Sequence, residues 1–108
     1  MITVDMHLNL AGHYTGFTVF GHADSMRKSG EYDLVCSAVS GITLTCALGL
    51  KDVLGIDGKY DSDSGMMIVD IGSRADQDSD LLIKTMVYGL KMIQEKYPGS
   101  LEVKQIKG

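Results

Sequence analysis

The sequence has little cysteine. Cys36 and Cys46 are the only two, too few for the disulfide framework that holds small secreted domains together. If both lie on one helix, the ten residues between them amount to about 15 Å at 1.5 Å per residue, far beyond the roughly 7 Å that a disulfide spans. Both thiols are therefore expected to be free. Blocks of one charge are missing as well: ten Lys plus Arg stand interspersed with fourteen Asp plus Glu, a net charge of −4. A direct nucleic-acid partner is not expected. No apolar run approaches the roughly 18 residues of a membrane span, and Asp5 stands where a secretory leader carries Lys or Arg, so the expectation is a cytoplasmic protein without a membrane partner. Metal and phosphate signatures are lacking too. Two cysteines ten apart match no common zinc spacing, Asp61-Ser62-Asp63-Ser64-Gly65 lacks the later Glu of a calcium loop, and Gly58-Lys59 is followed by Tyr60 where a P-loop needs Ser or Thr. No cofactor and no metal are expected.

What is present is one compact core's worth of chain: 108 residues, 44% hydrophobic, read as a single domain over 1–108. Ile2, Val4, Met6, Leu8 and Leu10 alternate with polar residues, the period of a half-buried strand. A Gly-containing turn leads to Phe17-Thr18-Val19-Phe20, so the first two strands are expected to form an antiparallel hairpin ending at Gly21-His22. Residues 23–32 are polar, contain Gly30, and read as a connecting loop. Asp33 is a suitable N-cap for a helix whose stripe, Leu34, Val35, Ala38, Val39, Ile42, Cys46 and Val53, runs to about residue 54. Gly41 and Gly49 each weaken that helix by roughly 1 kcal/mol, which suggests close packing against them. A short strand is expected to reach Tyr60, a turn to occupy 61–65, and a strand with apolar residues on both faces to occupy 66–71. Asp76, Asp78 and Ser79 offer caps for a second helix with Leu82, Ile83, Met86, Val87, Leu90, Ile93 and Tyr97 on one face, stopped by Pro98-Gly99. A last strand follows. The order ββαββαβ predicts an α+β fold: a two-layer sandwich of a mostly antiparallel sheet with two helices.

The chemistry-bearing candidates are His22 and Cys36. With Asp33 as N-cap, Cys36 falls in the first helical turn, where unpaired N–H groups favour a thiolate. Lowering a thiol pKa by about two units needs about 2.7 kcal/mol, and a helix end supplies roughly 0.3 to 2, so a second positive group is required. A protonated His22 would complete a thiolate–imidazolium pair, and the free N–H groups near Cys36 would form an oxyanion hole. Ser40 shares the helix face of Cys36 and either hydrogen-bonds the sulfur or back-bonds to the Cys36 carbonyl; Asp33 either orients His22 or only caps the helix. The plain structural alternative for Cys36 is a packed small residue. Cys46, on the apolar stripe, reads as inert core; His7 and His13 read as bystanders. Redox sensing is weakened by the lack of a nearby resolving cysteine on the same face.

Gly21-His22-Ala23, a polar loop with Gly30, and Asp33-Leu34-Val35-Cys36-Ser37-Ala38-Val39-Ser40 resemble the signature of the bacterial ribosomal-processing cysteine proteases, the Prp family. Length, element order and Met1-Ile2-Thr3-Val4 extend the resemblance along the chain. It implies a cysteine endopeptidase that removes an N-terminal extension from a large-subunit ribosomal protein, with that segment as substrate and a homodimer as the assembly. On the same resemblance Cys36 is nucleophile, His22 is base and acid, Asp33 and Ser40 support them, and Gly21, Ala23, Gly30 and Ser37 are substrate-binding positions. The competing reading is a non-catalytic dimeric binding protein in ribosome assembly.

Overall fold

The computed structural model describes residues 1–21, 29–63 and 65–108, with the side chains at 29–33 also outside the description. Strands β1 (Ile2–Leu8), β2 (Tyr14–Gly21), β3 (Lys59–Asp63), β4 (Met66–Asp70) and β5 (Leu101–Lys107) form one sheet in the order β3-β4-β2-β1-β5. Helices α1 (Ser29–Leu48) and α2 (Gln77–Lys96) lie on one face of it. This is the expected two-layer α+β arrangement in the expected order. Three strand pairs are antiparallel, and β5 adds parallel to β1, Ile2 opposite Leu101 and Leu8 opposite Lys107.

The alternation in β1 turns Ile2, Val4 and Met6 into the core, where they meet Phe17 of β2, Val69 of β4 and Leu101 of β5. From the helices come Val35, Val39, Ala47, Ile83, Met86, Val87 and Leu90. The β1–β2 turn is closed by the Asn9 amide donating to His13 O and by the His13 amide donating to Asn9 Oδ1, both at 3.0 Å. His13 is more than a bystander. Its Nδ1 lies 2.6 Å from Asp80 Oδ2, while the Tyr14 amide donates to Asp80 Oδ1 at 2.9 Å, so one carboxylate fastens this hairpin to the start of α2. Asp76 caps that helix in a reciprocal box with Ser79, as its position suggests.

Several expectations are corrected. Helix α1 begins at Ser29, not after an N-cap at Asp33, so Gly30 and Asp33 belong to the helical backbone. Gly30 and the polar run masked the start because both fit a loop equally well. At its far end α1 continues as a π-helical turn, Gly49–Val53. A Cβ at Gly49 would lie 3.0 Å from Leu82 Cδ1, the expected close packing; at Gly41 nothing stands within 4 Å. The segment expected to turn at 61–65 is strand as far as Asp63. Its polarity follows from β3 being an edge strand with only Tyr60 half-buried. Strand β4 is covered on one face only: Val69 is buried whereas Met66 is exposed. Finally, Leu34–Val53 is long and apolar enough to cross a membrane by length and composition, contrary to the expectation from apolar runs. Its buried stripe of Val35, Val39, Cys46, Ala47 and Leu50 packs into the same core as the sheet, which accounts for that composition.

Candidate active site

Cys36 is the eighth residue of α1. The sequence places it one turn before Ser40 and next to Val35, whose full burial fixes which way the helix is rotated. With Val35 in the core, Cys36 is half-buried and faces a cleft of about 310 Å3 between α1 and the sheet. Val39, Ser40 and Thr43 continue the α1 wall; Val19, Phe20 and Gly21 close one end, and Ser62, Asp63, Gly65, Met66 and Met67 form the opposite side. The Thr43 hydroxyl donates to Val39 O at 2.8 Å, which satisfies a buried polar group at the cleft floor.

Gly21 is placed by backbone necessity. Its φ of +93° is a region that L side chains rarely adopt, and a Cβ there would approach Met1 O to 2.5 Å. The last residue of β2 can therefore end against the first strand only as glycine, at the rim of the cleft that holds Cys36.

Both thiols are free, as expected. They differ sharply in setting. Cys46 is 6% exposed, and burial pushes its thiol up to about 12, so it stays protonated and inert at neutral pH. Cys36 opens on the cleft between α1 and the sheet, whereas Cys46 only edges the groove between α1 and α2.

The structure brings Cys36, Ser40 and Gly21 together in one cavity. It does not bring Ser37 there: one residue on, the helix has turned by about 100°, and Ser37 lines a separate groove of about 580 Å3 between α1 and α2. His22 and Ala23 lie outside the described residues, as does the side chain of Asp33. The N-cap reading of Asp33 is corrected, and its consequence for Cys36 with it. Seven steps into α1 is about 10 Å from the helix start, and the terminal field falls off within the first turn. The amide of Cys36 also belongs to the hydrogen-bonded ladder, not to the unpaired N–H groups of the first turn. The unpaired N–H groups of the α1 terminus therefore do not reach Cys36.

The β3–β4 hairpin is the part of the site that residue patterns missed. Ser62, Asp63, Met66 and Met67 stand some thirty residues from Cys36 in the chain, and only strand pairing carries them to it. Their sole signal is the two-sided apolar pattern of β4, which marks a strand without saying what its end faces.

A family model described as cysteine protease Prp matches residues 1–102. The ribosomal processing cysteine protease Prp of Staphylococcus aureus is 31% identical over 102 residues, covering 90% of this chain and 92% of that protein. The crystal structure of an essential ribosomal processing protease Prp from S. aureus with a substrate peptide superposes with a TM-score of 0.84, covering 98% of this chain and 100% of that one at 23% identity. A Streptococcus mutans protein superposes with a TM-score of 0.78 at 23% identity, covering 100% and 96% of the two chains. The superpositions establish a shared fold.

Proposed function

The chain belongs to the cysteine protease Prp family, and from that premise we propose that it cleaves the N-terminal extension of a large-subunit ribosomal protein, with Cys36 as nucleophile and His22 as base and acid. The observation that carries the reading is a free, partly exposed thiol facing a cleft, while the other thiol, Cys46, is buried and held protonated by that burial. One similar protein of known structure is a ribosomal processing protease crystallised with a substrate peptide.

In the proposed reaction the Cys36 thiolate adds to the scissile carbonyl carbon and forms a C–S bond. The tetrahedral intermediate collapses as the C–N bond breaks, and the His22 imidazolium gives its proton to the leaving amine. Water, deprotonated by the now neutral imidazole, then hydrolyses the thioester and returns the thiol. Since the α1 terminus is too distant, the imidazolium is the main source of thiolate stabilisation. Removing His22 should therefore cost nearly as much as removing Cys36. Ser40, one turn along the same wall, is placed to contact the substrate or the sulfur, and Asp33 is assigned to orient His22. Gly21, Ala23 and Gly30 are proposed to border the substrate.

We further propose a homodimer acting in the cytoplasm, where ribosomal precursors are made. Leu81, Tyr88 and Met92 of α2, each about two-thirds exposed or more, support a subunit contact on the helical face. Sedimentation at micromolar concentration tests the dimer. The catalytic reading is tested by incubating the precursor with wild type, Cys36→Ala and His22→Ala. Loss of cleavage in both variants is expected; undiminished cleavage by Cys36→Ala ends the proposal.

A further inference from the structure

The cleft at Cys36 does not stop at Thr43. Ser62 and Met67 also wall a second depression of about 130 Å3, lined further by Leu44, Ala47, Leu48 and Lys51 from the α1 side, Tyr60 and Asp61 from β3, and Val69 from β4. The two depressions adjoin across Ser62 and Met67, both between α1 and the β3–β4 edge of the sheet. Leu44 and Leu48 are each 48% exposed in it, a free apolar surface next to a thiol cleft. The Tyr60 hydroxyl is held by donating to Ile56 O at 2.8 Å, so it has no hydrogen left to donate and Tyr60 meets an apolar ligand with its ring.

We propose that this second depression is a substrate subsite that takes an apolar side chain four or five residues from the bond that Cys36 attacks. The spacing follows from geometry: Leu44 and Leu48 lie eight and twelve residues along the helix from Cys36, about 12 and 18 Å, and an extended peptide covers about 3.3 Å per residue. The occupant is the substrate chain itself because the depression adjoins the reaction cleft, with Ser62 and Met67 lining both, and because its volume suits one side chain and not a packed helix. The exposed Lys51 and Asp61 also line it, so the subsite reads one apolar residue within an otherwise solvated segment.

The inference rests on the assignment of Cys36 as nucleophile, and the experiment separates the two. Full-length Cys36→Ala is titrated by fluorescence anisotropy with a labelled peptide spanning the proposed ribosomal cleavage site. Further peptides carry Asp in place of each apolar residue within seven positions of the bond. Replacement four or five positions away should weaken binding by roughly tenfold. In Cys36→Ala/Leu48→Asp the same replacement should cost little more, because the partner surface has already gone. With native Cys36, Leu48→Asp should lose activity in KM and not in kcat; Leu44→Ala, a milder change, serves as the second variant, and circular dichroism checks the fold of both. Undiminished sensitivity to the replacement in the Leu48→Asp background overturns the subsite, as does failure of Cys36→Ala to bind any of the peptides. Cys36-dependent cleavage indifferent to Leu48 and Leu44 overturns the subsite alone. Coupled binding without any cleavage by wild type overturns the nucleophile and leaves the subsite standing.

Discussion

Raising the pH should expose Cys46 as a liability of the fold. Its thiol titrates near 9.0 when free in the unfolded chain and near 12 when buried, because desolvation penalises the anion. Between those values the unfolded state holds fewer protons than the folded one, so stability falls as pH rises. The loss is negligible below pH 8, reaches about 1.4 kcal/mol at pH 10, and grows by about 1.4 kcal/mol per further unit until the folded-state value is reached. Cys46→Ala removes this component while costing some packing at every pH. The assay is urea unfolding of wild type and Cys46→Ala under reducing conditions at pH 7.5 and pH 10, each difference referred to its own neutral value. Wild type should lose about 1.4 kcal/mol more than the variant on moving to pH 10. Tyr60, whose hydroxyl burial also pushes upward with the nearby Asp57, Cys46 and Asp52 charges adding to it, is present in both proteins, so its burial and aspartate contributions cancel and only the Cys46 part differs. A parallel readout is alkylation: a thiol raised by three units has about a thousandth of the ordinary thiolate at neutral pH, so folded Cys36→Ala should resist iodoacetamide. Equal pH dependence in the two proteins, together with ready alkylation of folded Cys36→Ala, would refute the burial argument.

Two other changes are expected to be read as cleanly. Asp80→Ala removes the acceptor of both the His13 ring and the Tyr14 amide and should cost about 1 to 3 kcal/mol in denaturant unfolding, with the largest loss of amide protection at residues 9–14. Gly21→Ala meets both a left-handed φ and the Met1 carbonyl, so it should destabilise by more than 1 kcal/mol and depress cleavage beyond what its stability loss explains, since the rim of the Cys36 cleft must shift.

The strands and α2 were legible because their signals are local. Alternation in β1 and the Asp76 and Ser79 caps each depend on residues a few positions apart. The start of α1 was not, since Ser29 and Gly30 suit a loop or a first turn alike, and choosing Asp33 as the cap moved Cys36 into a helix terminus it does not occupy. Within the site, Cys36 and Ser40 share a face by helical arithmetic, and that relation survives the revised start. Ser37 fails the same arithmetic. The β3–β4 wall was illegible for a different reason: the charges of Lys59, Asp61 and Asp63 belong to the exposed edge of a sheet, and nothing in their order reveals that Ser62 and Met67 turn back toward α1.

The parallel pairing of β5 with β1 bears on how the protein is handled. Ile2 borders the Cys36 cleft and is anchored through its amide to Ser100 O, so a purification handle fused ahead of Met1 emerges at the mouth of that cleft and presents itself there as a peptide. The opposite terminus leaves beside Leu8, six residue steps or about 20 Å along the strand, at the hairpin end of the sheet. A handle after Gly108 keeps the cleft clear for the intended peptide.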